Sequence, residues 1–149
     1  MGSRRVPQLL ETGSRAPDFR LPLLDGGEAA LSGLIAGGPV LLAFFKITCP
    51  VCQLTLPFLD RLRVYGISQN DADDTREFRE HFRLTMPVLL DAGDQGYPAS
   101  NAYGISSVPT LFLVERDGTV SKVIEGWRKK EMAALGVQVP SNVPEWKAG

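Results

Sequence analysis

Residues 39–52 read Pro39-Val40-Leu41-Leu42-Ala43-Phe44-Phe45-Lys46-Ile47-Thr48-Cys49-Pro50-Val51-Cys52, and the reading of this stretch decides the fold. Val40 to Phe45 is continuously apolar and follows Gly37-Gly38-Pro39, the pattern of a central strand buried on both faces. Beyond Cys49 the apolar positions change period. Val51, Leu54, Phe58, Leu59 and Leu62 recur at spacings of three and four, which predicts an amphipathic helix. Pro50 suits its first turn, where a missing N–H costs nothing, and Pro57 lies deep enough to kink it. The two cysteines therefore stand where a buried strand hands over to a helix.

Working outward, Ala16 to Asp25 alternates Phe19, Leu21 and Leu23 before Gly26-Gly27, which predicts an edge strand or hairpin covering one side of the core. Residues 1–15 are polar and unpatterned and read as a mobile arm. Downstream, Arg63–Ser68 reads as a strand, and Asp71–Phe82 as a helix with Asp74 and Glu77 as its capping pair. Leu62 runs into Arg63 with no turn residue between them. Because such connections normally take about 2–6 residues, either the helix ends early, near Asp60, or a segment is absent. Val88–Leu90 is a short strand, and Ala99–Tyr103 a short helix. Thr110–Glu115 and Thr119–Glu125 flank Arg116-Asp117-Gly118 as a hairpin. Lys129–Leu135 reads as a last helix, and residues 137–149 as a tail without pattern. The domain is thus expected over residues 16–136. Its order, βαβ then αβ then αββα, implies an α/β sheet with helices on both faces, parallel where helices intervene and antiparallel in the last hairpin.

Composition narrows the function. With 149 residues, 16 Lys+Arg against 17 Asp+Glu and 44% hydrophobic residues, the chain suits one soluble domain. Its net charge of -1 offers no excess for neutralising phosphates, so nucleic acid is not an expected partner. Its 15 Gly and 11 Pro imply many loops but not disorder. The longest apolar run is strand-sized, so no membrane span is expected. The start, Met1 to Leu10, lacks the apolar core of a secretory signal. A cytoplasmic location follows if the chain is full length, and an extracytoplasmic one if a signal has been removed.

Cys49 and Cys52 carry the chemistry. The N-terminus of a helix offers unpaired N–H groups and positive potential, which favour a thiolate on the first sulfur, while the second lies close enough to resolve a mixed disulfide. Two other readings compete. A structural zinc needs four ligands, but there is no second Cys pair and the single His, His81, belongs to a separate helix, where it reads as a solvated residue near the C-terminus. A purely structural disulfide closing so short a loop removes little entropy from the unfolded chain.

Ala16-Pro-Asp-Phe19, Thr48-Cys-Pro-Val-Cys52, Pro57, Val108-Pro-Thr110 and Leu113-Val-Glu-Arg-Asp-Gly118, in this order, resemble thioredoxin-fold proteins of the AhpC/TSA and TlpA/ResA-like thiol-disulfide oxidoreductase group. The resemblance covers roughly residues 16 to 126. It implies a thioredoxin-like three-layer α/β/α sandwich with a central mixed sheet and an N-terminal strand or hairpin extension. It also implies that Val108–Pro109 is a cis peptide facing the cysteines, with Cys49, Cys52 and Pro109 catalytic. Pro50, Val51, Val108 and Thr110 would contact substrate, and Lys46 would support the thiolate. The implied partners are a disulfide-bearing protein or small thiol substrate and an upstream dithiol reductant or oxidant, with no metal or organic cofactor. Peroxiredoxins of the same superfamily carry Thr three residues before a peroxidatic Cys in the position of Cys52. Here Cys49 stands there, which favours dithiol exchange over a peroxidase. A non-enzymatic thiol or metal carrier is the second alternative. Two carboxylates of the wider group are missing: Ala43 replaces a buried Asp and Thr55 a Glu. Thr48 stands where an aromatic residue usually precedes the motif.

Overall fold

A computed structural model describes residues 8–149. Its centre is β3 (Val40–Phe45), every residue of which is buried, as the unbroken apolar run requires. A strand buried on both faces must also pair along both edges, because its N–H and C=O groups have no access to water. On one edge β3 runs parallel to β4 (Val64–Ser68), which is itself parallel to β5 (Val88–Leu90). On the other it is antiparallel to β6 (Thr110–Val114), which forms a hairpin with β7 (Val120–Glu125). The resulting mixed sheet has the order β5-β4-β3-β6-β7.

This order corrects one expectation. A helix, α4 (Pro98–Tyr103), does precede β6, yet β6 is antiparallel to its sheet neighbour β3. The rule that an intervening helix makes strands parallel applies to strands that end up adjacent. Here the chain leaves β5 at one edge and crosses to the vacant side of β3, whose polar backbone it satisfies.

The elements around the sheet largely follow their local signals. β1 (Arg20–Pro22) and β2 (Glu28–Ala30) form the expected hairpin, and Leu24 N donates to Val88 O at 2.8 Å, which docks it beside β5. Arg79 donates to both carboxylate oxygens of Asp25, and this guanidinium holds the exposed Asp25 carboxyl below its usual range. The following α1 (Leu31–Ile35) has no signal in the sequence, since five residues containing Gly33 show little periodicity, although Leu31 and Leu34 are buried. α3 (Ala72–His81) is capped by Asp71, whose Oδ1 accepts from Asp74 N at 2.8 Å. The capping residue is therefore Asp71 rather than the Asp74/Glu77 pair, because the chain is still extended at Asp71 and turns helical immediately after it.

α2 (Pro50–Leu59) ends early, with Asp60 as its C-cap, leaving residues 60–63 to make the turn into β4. Leu62 lies outside the helix. A carboxylate is unfavourable beside a helix C-terminus, but the Asp60 carboxylate accepts from Thr85 N, Thr85 Oγ1 and Met86 N at 2.8–2.9 Å. It thereby ties the end of α2 to the approach of β5.

Residues 8–15 and the segment after Val137 make contacts that the sequence reading does not anticipate. Residues 1–7 of the expected arm lie outside the described part. In residues 8–15, Leu10 N donates to Tyr103 O at 3.1 Å and Gly13 N to Val120 O at 2.8 Å, while Leu9 and Leu10 pack on the core. These residues are attached to the domain. In the tail, β9 (Trp146–Lys147) pairs antiparallel with β8 (Trp127–Arg128), flanking α5 (Lys129–Ala134). The anchor is Trp127, which is fully buried against Phe58 and donates from its Nε1 to Pro144 O at 2.6 Å. A two-residue strand has no period to detect. Among the described residues no helix is long and apolar enough to cross a membrane.

Removing the Asp60 side chain strips three donors of their acceptor. Asp60→Ala should lower stability by about 2 kcal/mol, seen as a reduced urea midpoint with an unchanged slope.

Candidate active site

β3 delivers the chain to Lys46 at the end of the sheet, and the next residues are held by hydrogen bonds as well as by the packing of Ile47 and Cys49 on the core. Asn70 Oδ1 accepts from Ile47 N at 2.9 Å, and Gln53 Nε2 donates to Ile47 O at 2.9 Å. Cys49 then occupies the N-cap of α2, with extended backbone and Pro50 in the first turn behind it. Its Sγ accepts from Cys52 N at 3.1 Å. A sulfur thus takes the place of the Ser or Asp oxygen that commonly caps a helix, with a backbone donor aimed at it.

The two thiols are free and occupy different environments. Cys49 is half-buried, while Cys52 has no exposed surface. Burial pushes the Cys52 thiol well above its ordinary range, and its hydrogen bond to Cys49 adds to this. The Lys46 backbone and charge oppose the shift with smaller effect. No carboxylate stands at either position where the wider group has one. Ala43 and Thr55 are fully buried, and Thr55 Oγ1 is committed to Val51 O at 2.7 Å.

The third component comes from far along the chain. Val108–Pro109 is cis, and Cys49 Sγ donates to Val108 O at 3.4 Å. Pro50, Val108 and Lys46 join Cys49 in lining an open cavity of about 530 Å³. Cys52 lies behind its wall. Val51 is half-buried and does not line the cavity. Thr110 is buried at the start of β6, with Oγ1 donating to Ser107 O at 2.8 Å, so its side chain steadies the Ser107–Pro109 turn.

Sequence reasoning missed the opposite wall. Gln69, just beyond β4, and Ser100 in α4 line the cavity, and Gln69 Nε2 donates to Ser100 Oγ at 2.8 Å. Beneath them Asp91, fully buried, accepts from Ala99 N, Ser100 N and Ser100 Oγ at 2.5–2.9 Å. An acidic residue before a helix is an ordinary capping signal, but here the cap acts across a loop of several residues, beyond the spacing that the signal covers. His81 is exposed in the last turn of α3 against Phe82. Among the described residues no group of three or more His, Cys, Asp or Glu side chains is arranged to hold a metal ion.

Comparison with known proteins places this geometry. The thiol-disulfide oxidoreductase ResA of Geobacillus thermodenitrificans (strain NG80-2) is 35% identical over 131 residues, covering 80% of this chain and 72% of that protein. Among solved structures, a Chlorobium tepidum protein provisionally assigned as thiol:disulfide interchange protein DsbE is similar with a TM-score of 0.74 and 27% identity, covering 85% of this chain and 94% of that one. Peroxidoxin BcpB from Mycobacterium tuberculosis is similar with a TM-score of 0.70 and 26% identity, covering 85% of this chain and 97% of that one. The solved structures bear out the thioredoxin-like α/β fold with its hairpin extension, and the ResA and DsbE likenesses bear out the thiol-disulfide oxidoreductase class. The model of the AhpC/TSA family matches residues 12–123, a span that takes in both cysteines, the proline turn and all five strands of the central sheet up to the middle of β7, and the chain belongs to that family.

Proposed function

We propose that the chain exchanges electrons with disulfide-bearing proteins or small thiol compounds through Cys49 and Cys52, the first attacking and the second resolving. The observation that carries this reading is the difference between two sulfurs one helical turn apart. Cys49 faces the cavity with a backbone N–H directed at its Sγ, while Cys52 is sealed directly behind it.

In the reduced protein, the Cys49 thiolate attacks one sulfur of R–S–S–R′. A Cys49–S–S–R bond forms and R′–S⁻ departs. Cys52 then loses its proton and attacks Cys49 Sγ, forming the Cys49–Cys52 disulfide and releasing R–S⁻. Two electrons pass from the protein dithiol to the substrate disulfide. Run in reverse, the same steps oxidise a dithiol, and the reduction potential of the partner relative to the pair sets the direction. An upstream dithiol reductant or oxidant restores the starting state.

The other named residues support these steps. Val108 and Pro109 shape the backbone edge along which a partner approaches Cys49, and Thr110 braces that turn. Pro50 forms the cavity wall beside the attacking sulfur, and Val51 packs next to it on α2. Lys46 supplies positive charge near the sulfurs. Peroxide reduction through Cys52 is disfavoured by the burial of that sulfur.

Trapping experiments test the roles. With an insulin-type disulfide, Cys52→Ser should accumulate a mixed disulfide at Cys49, and Cys49→Ser should trap nothing. The reverse pattern would overturn the assignment. Rapid consumption of hydrogen peroxide with turnover on a dithiol donor would move the protein to the peroxidase class.

The second step should depend on pH. Burial holds Cys52 protonated, so its thiolate fraction rises as pH rises towards the elevated pKa. Resolution of a preformed Cys49 mixed disulfide should therefore accelerate about tenfold per pH unit between about pH 6 and 9 without a plateau. Stopped-flow release of a chromogenic thiol measures it, and levelling anywhere below about pH 9, where an ordinary thiol turns over, would contradict a raised Cys52.

A further inference from the structure

The backbone edge at Val108 already has an occupant. Beside the cysteines, Pro109 O is taken by Gly126 N at 2.8 Å, and from Thr110 onward the chain is paired on both sides between β3 and β7. The residue left open is Val108, whose carbonyl faces Cys49 Sγ and whose N–H meets no acceptor among the described residues. An extended polypeptide bringing a disulfide to Cys49 would naturally pair here.

The C-terminal segment runs to this same place. It is anchored by Trp127 Nε1 on Pro144 O, by Lys129 N on Glu145 O at 2.9 Å, and by the β8–β9 pairing. It then crosses Gly126, where an added methyl would collide with Lys147 O, and reaches Val108. A methyl on Gly149 would collide with Val108 O. Gly149 also borders the cavity shared with Cys49. Two close backbone approaches therefore depend on glycine. Ala148 and Gly149 are exposed and form no hydrogen bond to the body of the domain, unlike the residues before them. They cover the edge without being locked to it.

We infer that residues Trp146–Gly149 act as an intramolecular stand-in for a polypeptide on the Val108 edge and set the substrate preference of the site. A polypeptide disulfide must displace this segment. A small disulfide instead reaches Cys49 through the polar side of the cavity, between Lys46, Gln69, Ser100 and Asn101. This inference rests on the reading of Cys49 as the attacking sulfur.

Reduced wild-type and Gly149→Val proteins, each mixed with oxidised insulin and separately with cystine, test it in single turnovers. Valine cannot lie against Val108 O. If the edge is free only about a tenth of the time, displacing the segment should raise the insulin-to-cystine rate ratio about tenfold. An unchanged ratio would overturn the inference while leaving the dithiol chemistry standing. If the wild type reduces neither disulfide, the proposed function fails first and the inference with it. Proximity has a separate readout. Ala148→Cys combined with Cys52→Ser, which keeps glycine at the close approach to Val108 O, should form an intramolecular Cys49 cross-link on mild oxidation, located by peptide mapping, and only free thiols or intermolecular links would contradict it.

Discussion

The contact on which this molecule depends joins residues 59 positions apart: Cys49 Sγ at the mouth of α2 and Val108 O in the turn before β6, 3.4 Å from each other. It exists because β3 has neighbours on both edges. One edge, through β4, leaves room for Cys49 and α2 at the end of the sheet, and the other brings β6 and its preceding proline turn to the same end. The saturation of the backbone of one apolar strand thus positions a sulfur against a carbonyl from a distant part of the chain.

Around that contact the site is asymmetric. The capping position gives Cys49 a backbone donor and access to the cavity, whereas one helical turn further in Cys52 is removed from water. With Ala43 and Thr55 in place of carboxylates, neither of these positions supplies a base to relieve the cost of deprotonating Cys52. In the proposed exchange, this asymmetry separates an accessible first attack from a second step limited by a proton. Lys46 is the charged group that counteracts burial, and its effect is the smaller one.

The opposite wall is built on different terms. Asp91 spends its carboxylate on the N-terminus of α4 and on Ser100, and Ser100 in turn receives Gln69. This buried network keeps α4 at a set distance from Cys49 and makes that side of the cavity polar. On the other side, the strand pairing at Trp127 holds the C-terminal segment close to Val108. The width of the entrance is decided by elements that share no local sequence signal with the cysteines.

Elements governed by neighbours in sequence are legible in the residues themselves. The apolar run of β3, the period of α2, Pro50 in the first turn and the cysteines one turn apart all express interactions spanning a few residues, and the hairpin of β6 and β7 announces itself through its turn. The early end of α2 and the cap of α3 are less legible, since Asp60 and Asp71 act through hydrogen bonds that compete with simple periodicity. The family resemblance supplies the role of the Val108 turn, which local patterning alone marks only as a change of direction before a strand. What tertiary structure alone decided was the antiparallel seat of β6, the Asp91–Ser100–Gln69 wall and the course of the residues on either side of the expected domain. Each of these satisfies backbone or buried polar groups across long stretches of chain, and such pairing leaves no period or composition in the segments that take part.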